Sequence, residues 1–167
     1  IKGVNRAETD PDTGRHVTRA AMRKDVALMK RLHVNAVRTS HYPSDPYFYD
    51  LADERGLWID DEVDIETHNH ESCPSNCLAD RPEWQAAFAD RFRAMVERDK
   101  NHPSVIFWDT GNEAGLGAAH YAMAAWRTPT SRPACCTTSR TAPTVTRRSP
   151  MWTARAIPRR PGWRPAR

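Results

Sequence analysis

The chain has 167 residues, with 25 Lys and Arg against 21 Asp and Glu, which gives a formal net charge of +4. This length allows one domain with a sizeable hydrophobic core, so the chain is neither a peptide hormone nor a disulfide-stapled mini-protein. No stretch approaches the roughly 18 apolar residues that a membrane-spanning helix needs, and we therefore expect no membrane partner.

Up to about residue 126, predicted strands alternate with predicted helices. Short apolar runs predict strands at Ile1–Asn5, Ala36–His41, Leu57–Ile65 and Val105–Trp108. Helical spacing and end signals predict four helices: Val17–Leu32, one from Pro46 to a stop at Gly56, one that follows an Asp80–Glu83 capping box, and Leu116–Trp126. The tryptophans in these patterns are assigned to the core, namely Trp58, Trp84, Trp108 and Trp126.

This alternation predicts a parallel sheet covered by helices. No glycine-rich phosphate loop follows the first strand, which argues against a dinucleotide-binding domain. Polar residues instead follow the strands at their carboxyl ends, where a barrel collects its site residues: Arg38–His41, Glu62–His68 and Asn112-Glu113. Four strand–helix units make up half of the roughly 250 residues of an eight-stranded barrel, so we predict an α/β fold, the first half of a (β/α)8 TIM barrel.

The composition changes abruptly after Trp126. Residues 127–167 contain 10 Arg, 7 Pro and 8 Thr but no Asp, Glu, Lys, Leu, Phe or Tyr. Such a segment cannot bury enough apolar surface to offset its chain entropy, so we predict a disordered Arg/Pro/Thr-rich tail. GC-rich DNA translated out of frame has this composition, and we favour a frameshift over a basic arm that neutralises nucleic-acid phosphates.

The predicted domain, residues 1–126, holds 15 basic and 21 acidic residues, a net charge of −6. Because the net positive charge comes from the tail alone, nucleic acid is not the expected partner. The chain starts at Ile1 with neither an initiator methionine nor a signal-peptide pattern. We interpret this start as truncated and expect a cytoplasmic protein.

Glu113 is the first candidate catalytic residue. It follows an apolar strand, and apolar surroundings disfavour the charged form of a carboxyl group. A carboxylic acid that keeps its proton can protonate a leaving oxygen, as glycoside cleavage requires. Asn112 could hydrogen-bond a sugar hydroxyl beside it. Alternatively, Asn112 is a helix N-cap and the helix dipole stabilises Glu113.

A candidate metal site combines Glu66 and His68, which lie on one side of an extended segment, with Glu113. Carboxylates and an imidazole suit Mg²⁺. A rival is zinc bound by His68, His70, Cys73 and Cys77, but no second Cys/His pair follows at the spacing of a zinc finger. Cys73 and Cys77 are better interpreted as free thiols in a loop.

Arg38 and His41 end the second predicted strand. A buried arginine requires a carboxylate partner, and a catalytic carboxylate from a strand missing from this chain could provide it. His41 either donates a hydrogen bond to a substrate hydroxyl or is a hydrogen-bonded buried histidine.

Several long sequence motifs resemble those of glycoside hydrolase family 2, and most of all those of its large bacterial β-galactosidases, and they occur in the same order. They are Asn35-Ala-Val-Arg38-Thr-Ser-His41-Tyr-Pro43, Asp53-Glu-Arg-Gly56-Leu-Trp-Ile59, Asp61-Glu62, Ile65-Glu66-Thr67-His68 and Asp99-Lys-Asn101-His102-Pro103 running through Trp108 to Gly111-Asn112-Glu113. The resemblance covers residues 1–126 and none of residues 127–167.

The resemblance implies a retaining β-galactosidase with a TIM-barrel catalytic domain, a β-galactoside substrate and a homo-oligomeric parent. It implies that Glu113 is the acid/base and that Glu66, His68 and Glu113 bind Mg²⁺. Asn112 and His41 would contact galactosyl hydroxyls, and Arg38 would orient the nucleophile. The nucleophilic glutamate of the family lies on a later strand, so the resemblance also implies that this chain alone is inactive.

Two groups of alternatives stay open. Within the family, the parent could be a β-glucuronidase or a β-mannosidase. From another class, the chain could be a non-catalytic carbohydrate- or nucleic-acid-binding protein that uses its basic tail. Three residues depart from the family pattern: Ala7 replaces a usual histidine, Asp60 a usual apolar residue, and Asp109 a usual glycine or serine.

Overall fold

The computed structural model describes residues 1–126 and the backbone of residues 135–137. The strands are β1 (Gly3–Arg6), β2 (Ala36–Thr39), β3 (Trp58–Glu62), β4 (Glu71–Ser72), β5 (Asn76–Cys77), β6 (Val105–Asp109) and β7 (Cys135–Thr137). The α-helices are α1 (Arg19–Arg31), α2 (Pro46–Arg55), α3 (Gln85–Asp99) and α4 (Ala118–Ala125). The longest of them has 15 residues, and no helix in this part of the chain is long and apolar enough to cross a membrane.

One sheet of five strands organises the described residues. Its order is β1-β2-β3-β6-β7, and every neighbouring pair is parallel. Parallel neighbours require a crossover connection, which α1 supplies between β1 and β2 and α2 between β2 and β3. The long connection from β3 to β6 contains α3 and an antiparallel hairpin, β4–β5. The predicted parallel α/β architecture is confirmed.

The helices cover one face of the sheet. Val37, Ile59 and Val105 are register partners on β2, β3 and β6, and they pack against a buried cluster from α1 and α2. Trp108 pairs with Asp61, which shares a strand face with Ile59. Because Trp108 packs against Phe88, Phe92 and Met95 of α3 and Met123 of α4, both clusters lie on this same face.

The opposite face carries an open groove. Arg38, Asp60 and Phe107 are register partners there, and they line a cavity of about 400 Å³. Trp58 also lines it and is 45% exposed. Its assignment to the core is wrong, because strand alternation turns it away from the helices, whereas Trp108 is buried as predicted.

The ends of α2 follow the predicted signals. Asp45 accepts a hydrogen bond from the Tyr47 N–H at 2.8 Å, Pro46 is the first helical residue, and Gly56 ends the helix at φ = 67°. Glycine is favoured at a position with left-handed backbone angles directly after a helix, because it has no Cβ that would clash there.

The capping box predicted before α3 is wrong. Pro82–Trp84 forms a separate 3₁₀ turn without a side-chain cap, and Trp84 is 44% exposed, so its assignment to the core is also wrong. Asp80 instead accepts a hydrogen bond from the Ala118 N–H at 2.7 Å. It therefore caps α4, which is distant in sequence, and local spacing carries no signal for that contact.

Strand β7 falls within the predicted tail. Its residues 135–137 pair in parallel with Phe107–Asp109 of β6, although the sequence predicts no regular structure there. The exposed backbone groups of β6 offer these residues a hydrogen-bonding edge. The rest of the predicted frameshifted tail lies outside the described residues.

A buried carboxyl pair connects α2, β3 and α3. The Tyr49 hydroxyl donates to Asp61 at 2.5 Å, and Arg98 donates to Asp99 at 2.7 Å and to the Tyr49 oxygen at 3.3 Å. Burial, and then the neighbouring Asp99 carboxylate, raise the pKa of Asp61 well above its usual range. The neighbouring Asp99 carboxylate therefore opposes the ionisation of Asp61.

Replacing Asp61 with asparagine is expected to flatten the dependence of stability on pH. A carboxyl group whose pKa is raised in the folded state stabilises the fold below its unfolded pKa, and this contribution is lost as pH rises through the folded value. The amide cannot ionise, yet its oxygen can still accept from the Tyr49 hydroxyl. Urea unfolding at pH 4.5 and pH 8 measures the difference, with Asp90→Asn on the surface as control. Parallel stability curves for Asp61→Asn and the wild type would contradict the expectation.

Candidate active site

The candidate residues meet at the carboxyl ends of β2, β3 and β6. Arg38 lies on β2, Glu62 ends β3 and Asp109 ends β6. The segments that follow β3 and β6 carry Glu66 and Glu113. Parallel strands place these ends along one edge of the sheet, so residues up to 74 positions apart come into contact.

Arg38 is held by two buried carboxylates. Its Nη2 atom lies 2.8 Å from Glu62 Oε2, an ionic contact without hydrogen-bond geometry, and Nε donates to Asp109 Oδ2 at 3.1 Å. The side chains of Glu62 and Asp109 are 0% and 2% exposed. The described residues thus supply carboxylates that neutralise Arg38, on β3 and β6. Asp109, a departure from the family pattern, is one of its two partners.

Glu62 also positions His41. His41 Nδ1 lies 2.9 Å from Glu62 Oε1, and the imidazole is 38% exposed, so His41 is not an enclosed core histidine. Burial raises the pKa of Glu62 to about 7, against the opposing effects of Arg38 and His41. Glu62, which lies between Arg38 and His41, therefore loses its proton around neutral pH.

The three predicted metal ligands lie together. His68 Nδ1 is 2.7 Å from Glu113 Oε2, and His68 Nε2 is 3.2 Å from Glu66 Oε1. One ligand atom from each residue lies within 4.8 Å of the others. Two carboxylates and one imidazole are donors that fit Mg²⁺. Glu113 is 44% exposed, so the expected apolar wall does not enclose it.

Asn112 connects the metal-ligand cluster to the Arg38 group. Its Nδ2 donates to Glu66 Oε1 at 2.8 Å, and its Oδ1 accepts from Arg38 Nη2 at 3.2 Å. Helix α4 starts only at Ala118, so the alternative interpretation of Asn112 as a helix N-cap is wrong. Its predicted contact with a sugar hydroxyl stays a prediction.

Backbone contacts align the two loops that carry the cluster. The Asn112 N–H donates to the Ile65 carbonyl at 2.9 Å, and the His68 N–H donates to the Glu113 carbonyl at 2.9 Å. Glu113 itself has φ = 39°, a left-handed conformation that is rare for residues other than glycine. Such strain persists only where surrounding contacts fix it, and here those contacts orient Glu113 towards His68.

Gly111 permits this close approach. Its φ is +119°, and a Cβ there would lie 2.5 Å from the Ile65 carbonyl oxygen. Gly111→Ala is expected to lower the free energy of unfolding by about 1–3 kcal/mol for the backbone conformation alone, with the clash in addition. Gly14→Ala is the matched control, because Gly14 has φ = +66° but open space around it. Equal losses for the two variants in urea unfolding would contradict this prediction.

The interpretation of Cys73 and Cys77 as free thiols is wrong. They form a disulfide in the β4–β5 hairpin, because pairing of Glu71 with Cys77 brings the two cysteines together. The rival zinc set is not assembled either. His70 Nδ1 contacts Asn76 at 2.9 Å, whereas both nitrogens of His68 face carboxylates.

Sequence reasoning did not assign roles to Glu62 and Asp109. Glu62 belongs to the Asp61-Glu62 motif at the end of a predicted strand, and Asp109 departs from the family pattern. These are the signals in the sequence that point to the two residues. Their pairing with Arg38 spans 24 and 71 residues, and a single sequence contains no signal for such a contact.

Parallel β/α units with carboxylates, an imidazole and an arginine at the carboxyl ends of the strands are the arrangement on which TIM-barrel enzymes build their sites. The comparisons identify the family. The model of the TIM barrel domain of glycosyl hydrolases family 2 matches residues 1–156. The match extends 30 residues beyond the predicted boundary at residue 126. The chain belongs to glycosyl hydrolases family 2.

Curated relatives and solved structures agree with this assignment. The chain is 53% identical over 125 residues to the β-galactosidase of Arthrobacter sp. (strain B7), and 52% identical over 126 residues to that of Pseudoalteromonas haloplanktis. These alignments cover 74% and 75% of the chain and 12% of each relative. The chain thus matches about an eighth of their length.

Among solved structures, the chain resembles two β-glucuronidases. The enzyme of Ruminococcus gnavus superposes with a TM-score of 0.61 at 33% identity, covering 67% of this chain and 19% of that one. The enzyme of Bifidobacterium dentium, complexed with coumarin-3-O-glucuronide, superposes with a TM-score of 0.58 at 35% identity, covering 66% and 17%.

Proposed function

We propose that this chain carries the acid/base part of the active site of a retaining β-galactosidase. The observation that carries the proposal is the convergence of Glu66, His68 and Glu113 next to Asn112 and Arg38 at the carboxyl ends of the strands. Identity of about 50% to curated β-galactosidases supports galactose as the sugar.

Glu113 is the proposed general acid/base. It would protonate the glycosidic oxygen as the bond to the leaving group breaks, and then take a proton from the attacking water. His68 contacts its carboxyl group at 2.7 Å, which supports a fixed orientation for proton transfer. The 44% exposure of Glu113 leaves its carboxyl group accessible to a substrate.

His41 and Asn112 are the proposed contacts to the sugar. Glu62 occupies Nδ1 of His41, so Nε2 is the nitrogen that faces a hydroxyl. A retaining reaction also needs a nucleophilic carboxylate about 5–5.5 Å from the acid/base. The family resemblance assigns that glutamate to a later strand, so we expect no hydrolysis of β-galactosides by residues 1–126 alone.

Mg²⁺ is the proposed cofactor, bound by Glu66, His68 and Glu113. Their mixture of two carboxylates and one imidazole supports a hard cation. When bound, the ion supplies positive charge beside the acid/base carboxyl group.

Glu66→Gln is expected to weaken Mg²⁺ binding by about tenfold or more, because it removes the charge of one of two anionic ligands, while its amide oxygen can still accept from Asn112. Isothermal titration calorimetry of the full chain with MgCl2 measures the affinity. Glu83→Gln is the matched control, since that glutamate is exposed and lies outside the cluster. Identical Mg²⁺ affinity in all three proteins would contradict the proposed ligand set.

A β-glucuronidase is the second candidate, because the solved structures that resemble the chain include β-glucuronidases. Their identity of 33% and 35% is below the 52% and 53% of the β-galactosidases. We therefore prefer the β-galactosidase.

A graft tests the proposal. Residues 1–126 would replace the matching segment of the β-galactosidase of Arthrobacter sp. (strain B7), and the grafted enzyme would be assayed with aryl β-galactosides and aryl β-glucuronides. We expect turnover of the galactoside. A folded, soluble graft without activity on the galactoside, while the parent enzyme is active, would overturn the proposal, and activity on the glucuronide would favour the second candidate.

A further inference from the structure

We propose that Cys73, Cys77 and Asp80 form a second metal site, for Zn²⁺ or a similarly thiophilic divalent cation, which is open only when the Cys73–Cys77 disulfide is reduced. One sulfur from each cysteine and one carboxylate oxygen of Asp80 lie within 4.8 Å of one another. This group shares no residue with the Glu66–His68–Glu113 cluster.

The hairpin preorganises the two sulfurs. The Cα atoms of Cys73 and Cys77 are 4.7 Å apart, and pairing of Glu71 with Cys77 and of Ser72 with Asn76 fixes the turn between them. Cys77 is 2% exposed, and both cysteines pack against the buried cluster of α3 and α4. Reduction therefore leaves two thiols held near each other by surrounding structure instead of releasing them into solvent.

Asp80 supplies an oriented carboxylate. Its Oδ1 accepts from the Ala118 N–H at 2.7 Å, which fixes the orientation of the side chain beside the two sulfurs. Ligands held by such hydrogen bonds bind metals more tightly than mobile ones. Two thiolates and one carboxylate suit Zn²⁺, with water as the fourth ligand, and do not suit Mg²⁺.

The loop 113–117 lies between this site and the proposed magnesium site. Glu113 contacts His68. A Cβ on Gly115 would lie 2.8 Å from Cys73 Sγ, and a Cβ on Gly117 would lie 2.6 Å from Asp80 Oδ1. The backbone of the loop thus lies against Cys73 and Asp80 of the second metal site, whereas its first residue, Glu113, belongs to the proposed magnesium site. Metal binding at the cysteines would hold the loop that carries Glu113.

The chemistry balances with a phosphine as reductant. The phosphine and one water reduce the disulfide to two thiols, and the phosphine leaves as its oxide. Zn²⁺ then displaces two thiol protons as two Zn–S bonds form, so binding weakens as pH falls. Oxidation of the thiolates by diamide restores the disulfide, releases Zn²⁺ and converts diamide to its hydrazine.

The test uses the full chain with Cys135→Ser and Cys136→Ser, so that only Cys73 and Cys77 can supply thiols. Oxidised and phosphine-reduced samples are titrated anaerobically with ZnCl2 against a chromophoric chelator, and with CoCl2 for thiolate-to-cobalt charge transfer. We expect about one more zinc per reduced chain than per oxidised chain, and release of that zinc on addition of diamide. The cobalt band should appear in the reduced sample only.

Two variants on this background locate the ligands. Asp80→Asn keeps an oxygen for the Ala118 N–H and should weaken zinc binding by about tenfold or more, with an unchanged circular dichroism spectrum. Cys73→Ser/Cys77→Ser should abolish the cobalt band. Equal zinc binding by the oxidised and reduced chains, or by the reduced chain and the double serine variant, would overturn the proposal. Unchanged affinity in Asp80→Asn would remove Asp80 from it.

Discussion

Glu113→Gln in the grafted enzyme is expected to lower kcat/KM, which reports cleavage of the glycosidic bond, by about 10²- to 10⁴-fold on a β-galactoside with a poor leaving group, since this is the usual contribution of a general acid or base. Glutamine is close in size to glutamate and can still contact His68, but it has no proton to give to the glycosidic oxygen. The loss should be smaller for an aryl galactoside with a good leaving group, because that bond breaks with little protonation.

Steady-state assays with both substrates measure this difference. The matched control is Glu83→Gln, which changes one exposed glutamate outside the site and should leave kcat unchanged. An equal loss of kcat/KM on both substrates would contradict acid catalysis by Glu113 and would point to a purely structural effect of the substitution.

Arg38→Ala is expected to lower the free energy of unfolding by about 3–5 kcal/mol at pH 8, because removal of one partner leaves a buried charge uncompensated. Here two carboxylates, Glu62 and Asp109, lose their cation, and both are almost fully buried. The pKa of Glu62 is already raised to about 7 by burial, and Arg38 opposes this rise. Without Arg38 the pKa should rise further.

The sign of the pH effect follows from linkage. A carboxyl group with a raised pKa costs stability in its ionised form, so the loss in Arg38→Ala should be larger at pH 8 than at pH 5. Chemical denaturation at the two pH values measures it, with Arg93→Ala as control, since Arg93 is half exposed and lies 3.6 Å from an exposed aspartate. A loss below about 1 kcal/mol at pH 8 would mean that the buried pairs are not ionised as described.

Arg38→Lys separates charge from geometry. Lysine keeps the positive charge, but a single ammonium cannot span Glu62, Asp109 and Asn112 as the planar guanidinium does. We expect a stability between those of the wild type and Arg38→Ala.

Local sequence signals predicted most of the fold. The apolar runs at Ala36 and Val105 and the cap and stop signals at Asp45 and Gly56 are confirmed as β2, β6 and the ends of α2. These signals act within a few residues, where backbone conformation and side-chain alternation decide the outcome. These local signals do not determine which face of the sheet a side chain occupies relative to distant helices. Trp58 was assigned to the core because its pattern is apolar, but it faces the groove opposite the helices.

The sequence predicts which residues belong to the candidate metal cluster, but it does not predict which residues several of the site's side chains contact. Glu66, His68 and Glu113 were grouped from strand-end position and family resemblance, and the structure brings them together. The partners of Arg38, the cap that Asp80 provides for α4 and the Cys73–Cys77 disulfide depend on tertiary pairing. The sequence instead favours a carboxylate from a missing strand for Arg38, the neighbouring helix for Asp80, and free thiols for Cys73 and Cys77. A single sequence contains no information on distances between residues in space.

Chemical rescue of Glu113→Ala in the grafted enzyme tests most directly whether Glu113 is the acid/base of a retaining site. The variant would be assayed with an aryl β-galactoside that has a good leaving group, in the presence and absence of sodium azide. Azide needs no general base, so it should attack the glycosyl-enzyme, restore turnover and yield β-galactosyl azide. Turnover of Glu113→Ala that equals that of the parent graft without azide, or α-galactosyl azide as the product, would contradict this role.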